Sequence, residues 1–453
     1  MSLGNDSHQV GGSPRGATGT TRIERNTSTF QRILRFIQKN QGEAFKKAPN
    51  GRSLLYREVA RCGVSAFEGK RPVVWTTSYV FPMEFIWGLG LLPVDFEIYA
   101  GLMSAANQGP KALKAADGWG LPQDTCTIHR IAVGAVLLEE FPKPDLLVST
   151  THYCDGKAKT NEIMARHYGV DYMLLDMPLE DGPEARHYVK EQLQLIFSRL
   201  CALAGKAPDQ GLLGKPIYHF NQMTGYMRRV NELRKGRPAP FLPNNGCFDL
   251  HFMNTLLYGT PWATEIYRLL EAQWREELRT GSFKPEKLRF LWLMASPTYA
   301  APIFPWMEQR GARIVMEELG HCYWKEMDLS RPLDSMVERL FSNPFHGKVE
   351  RRAKLALQLA KAYGVDAALH MGHLPCRQSN GALQVIRDAL EDHGIRLIQL
   401  EADLADPSGF PTRRIQEQLQ AYWEILSPRL HRASQMDGPG SDGSGPQDDQ
   451  KNA

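Results

Sequence analysis

The stretch Pro144-Asp-Leu-Leu-Val-Ser-Thr-Thr-His-Tyr-Cys154-Asp-Gly-Lys157 decides the fold. Asp145 to Thr150 is a short apolar run suited to a strand buried on both faces; a polar turn follows, and a helix opens near Lys157. Strand, short loop and helix in that order make half of a βα unit, whose next strand has to run parallel. The pattern recurs, with strands expected at Pro72 to Tyr79, Asp171 to Asp176, Leu288 to Met294, Ala312 to Glu317, Val365 to Met371 and Arg396 to Leu400. The expected fold class is therefore α/β, with parallel sheets.

Helical patterns separate these strands. Val189, Leu193, Ile196, Phe197, Leu200 and Cys201 fall at helical spacing after the helix start Asp181-Gly-Pro183. Residues 205–284 read as almost wholly helical: Phe220, Met223, Met227 and Val230 share one face, and a second helix, Trp262 to Arg279, follows a break at Pro243 to Gly246. Five segments result: a tail (1–27), an N-terminal α/β lobe with a leading helix (28–204), a helical segment (205–284), a C-terminal α/β lobe (285–430) and a second tail (431–453). Both tails are Gly- and Ser-rich and are expected to be disordered. Tyr168-Gly-Val-Asp171 and Tyr363-Gly-Val-Asp366 form a weak echo between the lobes; each closes a helix with Gly and opens a strand.

Composition removes several functions. Lys+Arg 54 against Asp+Glu 50 gives +4 over 453 residues, too weak a field for nucleic-acid binding. The most apolar stretch, Val73 to Val94, is broken by polar residues, Pro82 and two glycines, so no membrane span is expected. Met1 to Thr27 has no apolar signal core, and a cytoplasmic location follows as an expectation. Nucleotide motifs are missing: Gly214-Lys215 runs into Pro216, Gly156-Lys157 into Ala158, and Gly88-Leu-Gly90 fails at Pro93. ATP or NAD chemistry would have to come from another polypeptide.

Seven cysteines, Cys62, Cys126, Cys154, Cys201, Cys247, Cys322 and Cys376, are too few for a disulfide scaffold, and no two form a C-x-x-C pair. Cys126, Cys154 and Cys376 share one context, just past a strand end or at a helix start. Parallel sheets place ligands at that edge, and helix N-termini favour thiolate charge, so three such thiolates could hold an iron–sulfur cluster. The alternative is that each is a small buried hydrophobe. Cys201 and Cys62 fit that alternative, and Cys247 and Cys322 stay open. Glu84 could serve as a general acid or base, but a carboxylate that only meets the dipole at a helix start is the more ordinary reading. His152 and His373 flank two of the cysteines and suit hydrogen bonds to a cluster or a substrate carbonyl, or solvated loops. Arg228, Arg229, Arg234, Lys235 and Arg237 suit a solvated helix face, or the phosphates of an acyl-CoA.

From about residue 70 to 428 these contexts resemble the 2-hydroxyacyl-CoA dehydratase and benzoyl-CoA reductase subunits. Val74 to Phe96 (VWTTSYVFPMEFIWGLGLLPVDF) resembles the family's Pro-x-Glu element and Gly-Leu-Leu-Pro strand entry. Cys126 at a helix start, the Cys154 loop and Leu175-Asp-Met-Pro178 are similar to family elements. So is His370-Met-Gly-His-Leu-Pro-Cys376 with Leu400-Glu-Ala-Asp403 and Thr412-Arg413. The resemblance implies two tandem flavodoxin-like lobes and a [4Fe-4S] cluster on Cys126, Cys154 and Cys376. Cys322, in Leu319-Gly-His-Cys-Tyr-Trp324, stands where some relatives carry another Cys, which would add a fourth protein ligand.

It also implies a hetero-oligomer: a homologous cluster-binding subunit, an ATP-hydrolysing activator that holds the ATP, and a ferredoxin-type electron donor. Length and the wording around Trp75 to Glu84 resemble the larger of the two homologous subunits of ATP-dependent benzoyl-CoA reductase. Such an enzyme reduces the ring of benzoyl-CoA to cyclohexa-1,5-diene-1-carbonyl-CoA in anaerobic aromatic degradation, through radical chemistry in which the thioester carbonyl accepts the electron. A subunit of an (R)-2-hydroxyacyl-CoA dehydratase is the alternative, and a non-catalytic scaffold with buried thiols is a third reading.

Overall fold

The computed structural model describes residues 27–244, 246–321 and 325–436, with backbone alone for 247–249 and 427–436. The expected tails lie outside the described residues, except for Thr27 and for 431–436, which continue the last helix (Thr412–Met436).

Among the described residues, eight strands form two parallel sheets. The first holds β1 (Val73–Trp75), β2 (Leu92–Val94), β3 (Leu146–Thr150) and β4 (Tyr172–Leu175) in the order β2-β1-β3-β4. The second holds β5 (Leu288–Leu293), β6 (Ala312–Glu317), β7 (Ala367–Gly372) and β8 (Arg396–Glu401) in the order β6-β5-β7-β8. Each sheet thus has the same doubly wound order, with its topological switch between its first and third strands. The fold expected from the sequence is present, with one addition and one shortening. β2 contains Pro93, which cannot donate to a ladder and is tolerated because β2 is an edge strand. β1 stops at Trp75 because Thr76 to Tyr79 turn away, where both the Ser78 N–H and its hydroxyl donate to Asp95 Oδ2, at 2.7 and 2.6 Å.

The true repeat is not the Tyr-Gly-Val-Asp echo, which precedes β4 in one sheet and β7 in the other. It lies in the residue before the third strand. The Asp145 carboxylate accepts from the Val73 N–H at 2.7 Å and its own N–H donates to the Val73 carbonyl at 2.8 Å. Asp366 does the same with Arg289, at 2.7 and 2.9 Å. Each aspartate therefore pins the third strand to the first and fixes the register at which the following loop emerges.

Packing follows the patterns. Val189, Leu193, Ile196, Phe197, Leu200 and Cys201 of the helix at Pro183–Leu203 are buried, as are Phe220, Met223, Met227 and Val230 of the helix at Gly214–Leu233. The helical middle shares one core with the first sheet, and Met336, Leu340 and Phe341 of the helix at Pro332–Ser342 join it from the second half of the chain. The second sheet has two further cores, one per face. Phe290 and Trp292 point to one, where the last helix packs, and Leu291 and Leu293 to the other. No helix among the described residues is long and apolar enough to cross a membrane.

Candidate three-cysteine site

β3 and β7 are the third strands of their sheets, and four residues past the last residue of each stands a cysteine, Cys154 and Cys376. Cys154 is the N-cap of the helix Asp155–Tyr168 and Cys376 that of the short helix Arg377–Asn380. Cys126 is the N-cap of the helix Thr127–Leu137, in the crossover between β2 and β3. None of the three makes the side-chain capping hydrogen bond that a Ser or Asp would make there. All three line one cleft of about 700 Å³ and also the apolar pocket beneath it, together with His129, Tyr153 and Gln378. Phe252, Met294, Leu319 and Leu404 close the pocket's inner wall.

Two side chains of this wall hold left-handed backbone, Tyr153 at φ 79° and Met294 at φ 62°. Such positions cost about 1–3 kcal/mol each for a non-glycine residue and cluster at functional sites. Tyr153 follows β3 and Met294 follows β5, so the strain sits at the carboxyl edges of both sheets.

The thiols are electrostatically unlike. Burial pushes Cys376 up to about 11 and Cys126 well above its ordinary value, each raised further by the neighbouring thiols. Burial acts on Cys154 in the same direction, but the hydrogen bond and charge of His129, and the charge of Lys157, bring it below its ordinary value. Behind it, Glu97 Oε1 lies 3.5 Å from His129 Nε2 and Glu97 Oε2 lies 3.4 Å from the fully buried Lys157 Nζ. Burial alone would raise Glu97 and lower His129; Lys157 and His129 take Glu97 down to about 2, and the hydrogen bonds with Cys154 and Glu97 take His129 up to about 9. His373 Nε2 stands 3.5 Å from Cys126 Sγ and its Nδ1 3.6 Å from Asp403 Oδ2; Asp403 accepts in turn from the Thr127 hydroxyl at 2.5 Å. Asp403 thus ties the second sheet's last loop to the helix that Cys126 opens.

The other expected site residues lie elsewhere. Glu84 lines neither the cleft nor the pocket. It is fully buried in a two-point ion pair with Arg339, at 2.6 and 2.8 Å, and Arg339 also covers the Phe220 ring. Its oxygens are occupied by that guanidinium, so the geometry gives it a structural role. His152 follows β3 but turns into a neighbouring pocket, with its ring 5.5 Å from His346. Cys62 and Cys201 are buried in the first core. Arg234, from the basic run, is buried on Glu317. Cys322 and the side chain of Cys247 lie outside the described residues. Sequence reasoning passed over Glu97, His129 and Lys157. The available signals were His129 on the first turn after Cys126 and Lys157 in the first turn after Cys154, positions that face back toward a helix's N-terminal end.

The family described as 2-hydroxyglutaryl-CoA dehydratase, D-component, matches residues 78–426, which takes in all three cysteines and both sheets but for the first strand. The chain belongs to this D-component family. The (R)-2-hydroxyisocaproyl-CoA dehydratase alpha subunit of Clostridioides difficile is 24% identical to it over 399 residues, 83% of this chain and 95% of its own. The (R)-phenyllactyl-CoA dehydratase alpha subunit of Clostridium sporogenes is 21% identical over 381 residues, 80% of this chain and 91% of its own. A benzoyl-CoA reductase subunit of Thauera aromatica is 23% identical over 348 residues, 70% of this chain and 80% of its own. These relatives are subunits of dehydratases and of a reductase, and membership of the family makes this chain an enzyme-related subunit.

Proposed function

We propose that the chain is the [4Fe-4S]-binding subunit of an ATP-dependent enzyme that delivers single low-potential electrons to an acyl-CoA thioester. One observation carries this: three cysteines, each at a helix N-terminus and from two different sheets, line a single cavity with no capping bond to occupy them. Among the described residues no group of three or more His, Cys, Asp or Glu is arranged to hold a metal ion. Cysteine thiolates are the donors an iron–sulfur cluster takes, each bound to a separate iron. Cys126, Cys154 and Cys376 would hold it, and when bound it would supply the reducing electron.

The surrounding residues have complementary tasks. His129 donates toward the Cys154 sulfur, and Glu97 and Lys157 hold its imidazole in place. His373 brings its Nε2 to 3.5 Å from Cys126 Sγ, with the Asp403 carboxylate 3.6 Å from its other ring nitrogen. Phe252, Met294, Leu319 and Leu404 keep water off the inner face, so a charge developing there is poorly screened. The homologous subunit, the ATP-hydrolysing activator and a ferredoxin-type donor belong to the same proposal, since the chain has no nucleotide motif of its own.

Benzoyl-CoA is our first substrate, on the wording around Trp75 to Glu84. A (R)-2-hydroxyacyl-CoA is the second reading, favoured by the longer match to the two dehydratase subunits. The test is anaerobic assay of the complex with its activator, ATP and a strong reductant, offering both thioesters side by side. ATP-coupled loss of benzoyl-CoA supports the first reading; consumption of the hydroxyacyl thioester alone replaces it with the second. An iron-free complex with full activity would refute both.

A further inference from the structure

Beside the cysteine cleft, and sharing Thr151, Tyr153, Arg377 and Gln378 with it, lies a second pocket of about 370 Å³. Its wall contains an anomaly. His152 is 3% exposed, and neither of its ring nitrogens has a hydrogen-bond partner; His346 Nε2 beside it has none either. A buried polar group left unsatisfied costs about 1–3 kcal/mol, so its persistence points to a partner that arrives from outside.

The chemistry of that partner follows from the rest of the wall. The helix Val349–Ala362 begins here at Lys348 and the helix Leu383–Glu391 at Ala382, and neither N-terminus has a side-chain cap. Lys348 and Val349 line the cavity, so the N-terminal end of the first of these helices, with its partial positive charge, adjoins it. Lys348 and Arg377 stand at its mouth. Both are exposed, and Arg377 is engaged only in a surface pair with Asp155, a contact of little worth. Carboxylates nearby are already matched, Asp181 by Arg186 and Glu318 by Arg352; Glu350, in the first turn of its helix, is exposed.

We propose that this pocket binds the phosphate groups of a nucleotide-bearing ligand. On the acyl-CoA reading above, on which this identification of the ligand rests, they are the phosphates of the coenzyme A moiety, and the thioester arm reaches the cysteines past Thr151 and Tyr153. The test is calorimetric titration of the full chain with benzoyl-CoA, a 2-hydroxyacyl-CoA, adenosine 3′,5′-bisphosphate, benzoyl-pantetheine and inorganic phosphate. Wild type is compared with the double variant Lys348→Ala/Arg377→Ala, whose exposed positions leave folding intact, and with His152→Asn.

A rise in Kd of about tenfold or more for both the CoA thioester and the bisphosphate, with the pantetheine thioester unaffected, is the expected result. Unchanged affinities in both variants would overturn the pocket's assignment and leave the acyl-CoA reading standing. Bisphosphate binding that weakens in the variants, with no CoA thioester bound by wild type, would support the pocket and overturn the acyl-CoA reading. Binding of inorganic phosphate alone, or of none of these probes, would overturn the proposal.

Discussion

Replacing Glu84 by Gln separates a structural role from a chemical one. Glu84 is 0% and Arg339 4% exposed in their side chains, and the pair joins residues 255 apart in sequence. Gln keeps the shape and removes the charge, which strands a guanidinium in the first core against Phe220. Breaking a buried pair in this one-sided way costs about 3–5 kcal/mol. In a unit of 150–250 residues each kcal/mol moves Tm by about 2–4 °C, so Glu84→Gln should lower the transition by about 6–20 °C. The double variant Glu84→Leu/Arg339→Met removes both charges and should recover most of that loss, giving a coupling energy of about 2 kcal/mol or more in the cycle. Calorimetry on the wild type, both single variants and the double variant, purified without oxygen, reads this directly. A Glu84→Gln protein with unchanged Tm and no turnover would refute the reasoning and return Glu84 to proton transfer.

Other outcomes follow from the same structure. Ser at Cys126, Cys154 or Cys376 should remove iron and acid-labile sulfide while the fold survives by circular dichroism; Cys201→Ser should keep the iron and lose only stability. If all four behave alike, the grouping of the cysteines is wrong. Burial first, then the Arg234 charge, holds His251 down to about 3, below the ordinary 6.5, so the unfolded chain takes the proton first and the stability that neutral His251 provides fades as pH falls below about 6.5. The stability gap between wild type and His251→Gln in guanidinium unfolding should therefore narrow by up to about 1.4 kcal/mol per pH unit between pH 6 and 5; parallel curves would count against it. A Cβ on Gly134 would run into the backbone of Ala112, so Gly134→Ala should push the Cys126 helix off its neighbour, cost about 1–3 kcal/mol and lower iron content. Gly118→Ala, in open space on a helix, should be neutral or slightly stabilising.

The strands were legible wherever both faces are buried, because a run such as Leu146 to Thr150 has no polar position to confuse its reading. Cys154 and Cys376 were legible for the related reason that a strand end followed by a helix start puts the intervening residue at a sheet's ligand edge. β2 was legible only through the Gly-Leu-Leu-Pro strand entry of the family resemblance, because three residues with a central proline form no pattern of their own. The carboxylate–imidazole–lysine group of Glu97, His129 and Lys157 was hidden because its members sit on three helices, joined only by tertiary packing. Glu84 is the opposite case: its local setting suits chemistry, while its partner Arg339 lies in the other half of the chain and was not legible from the sequence.

The division of the thiols between the sheets bears on how the chain matures. Cys126 and Cys154 emerge with the first sheet, but Cys376 follows β7, so on the cluster proposal the three donors meet only once both halves have docked. A nascent chain offers a pair of thiols, a set suited to stray soft ions or to oxidation. Iron and sulfur supplied after release from the ribosome should load better than the same supply during translation. Wrongly metallated by-products should accumulate from chains halted before residue 376.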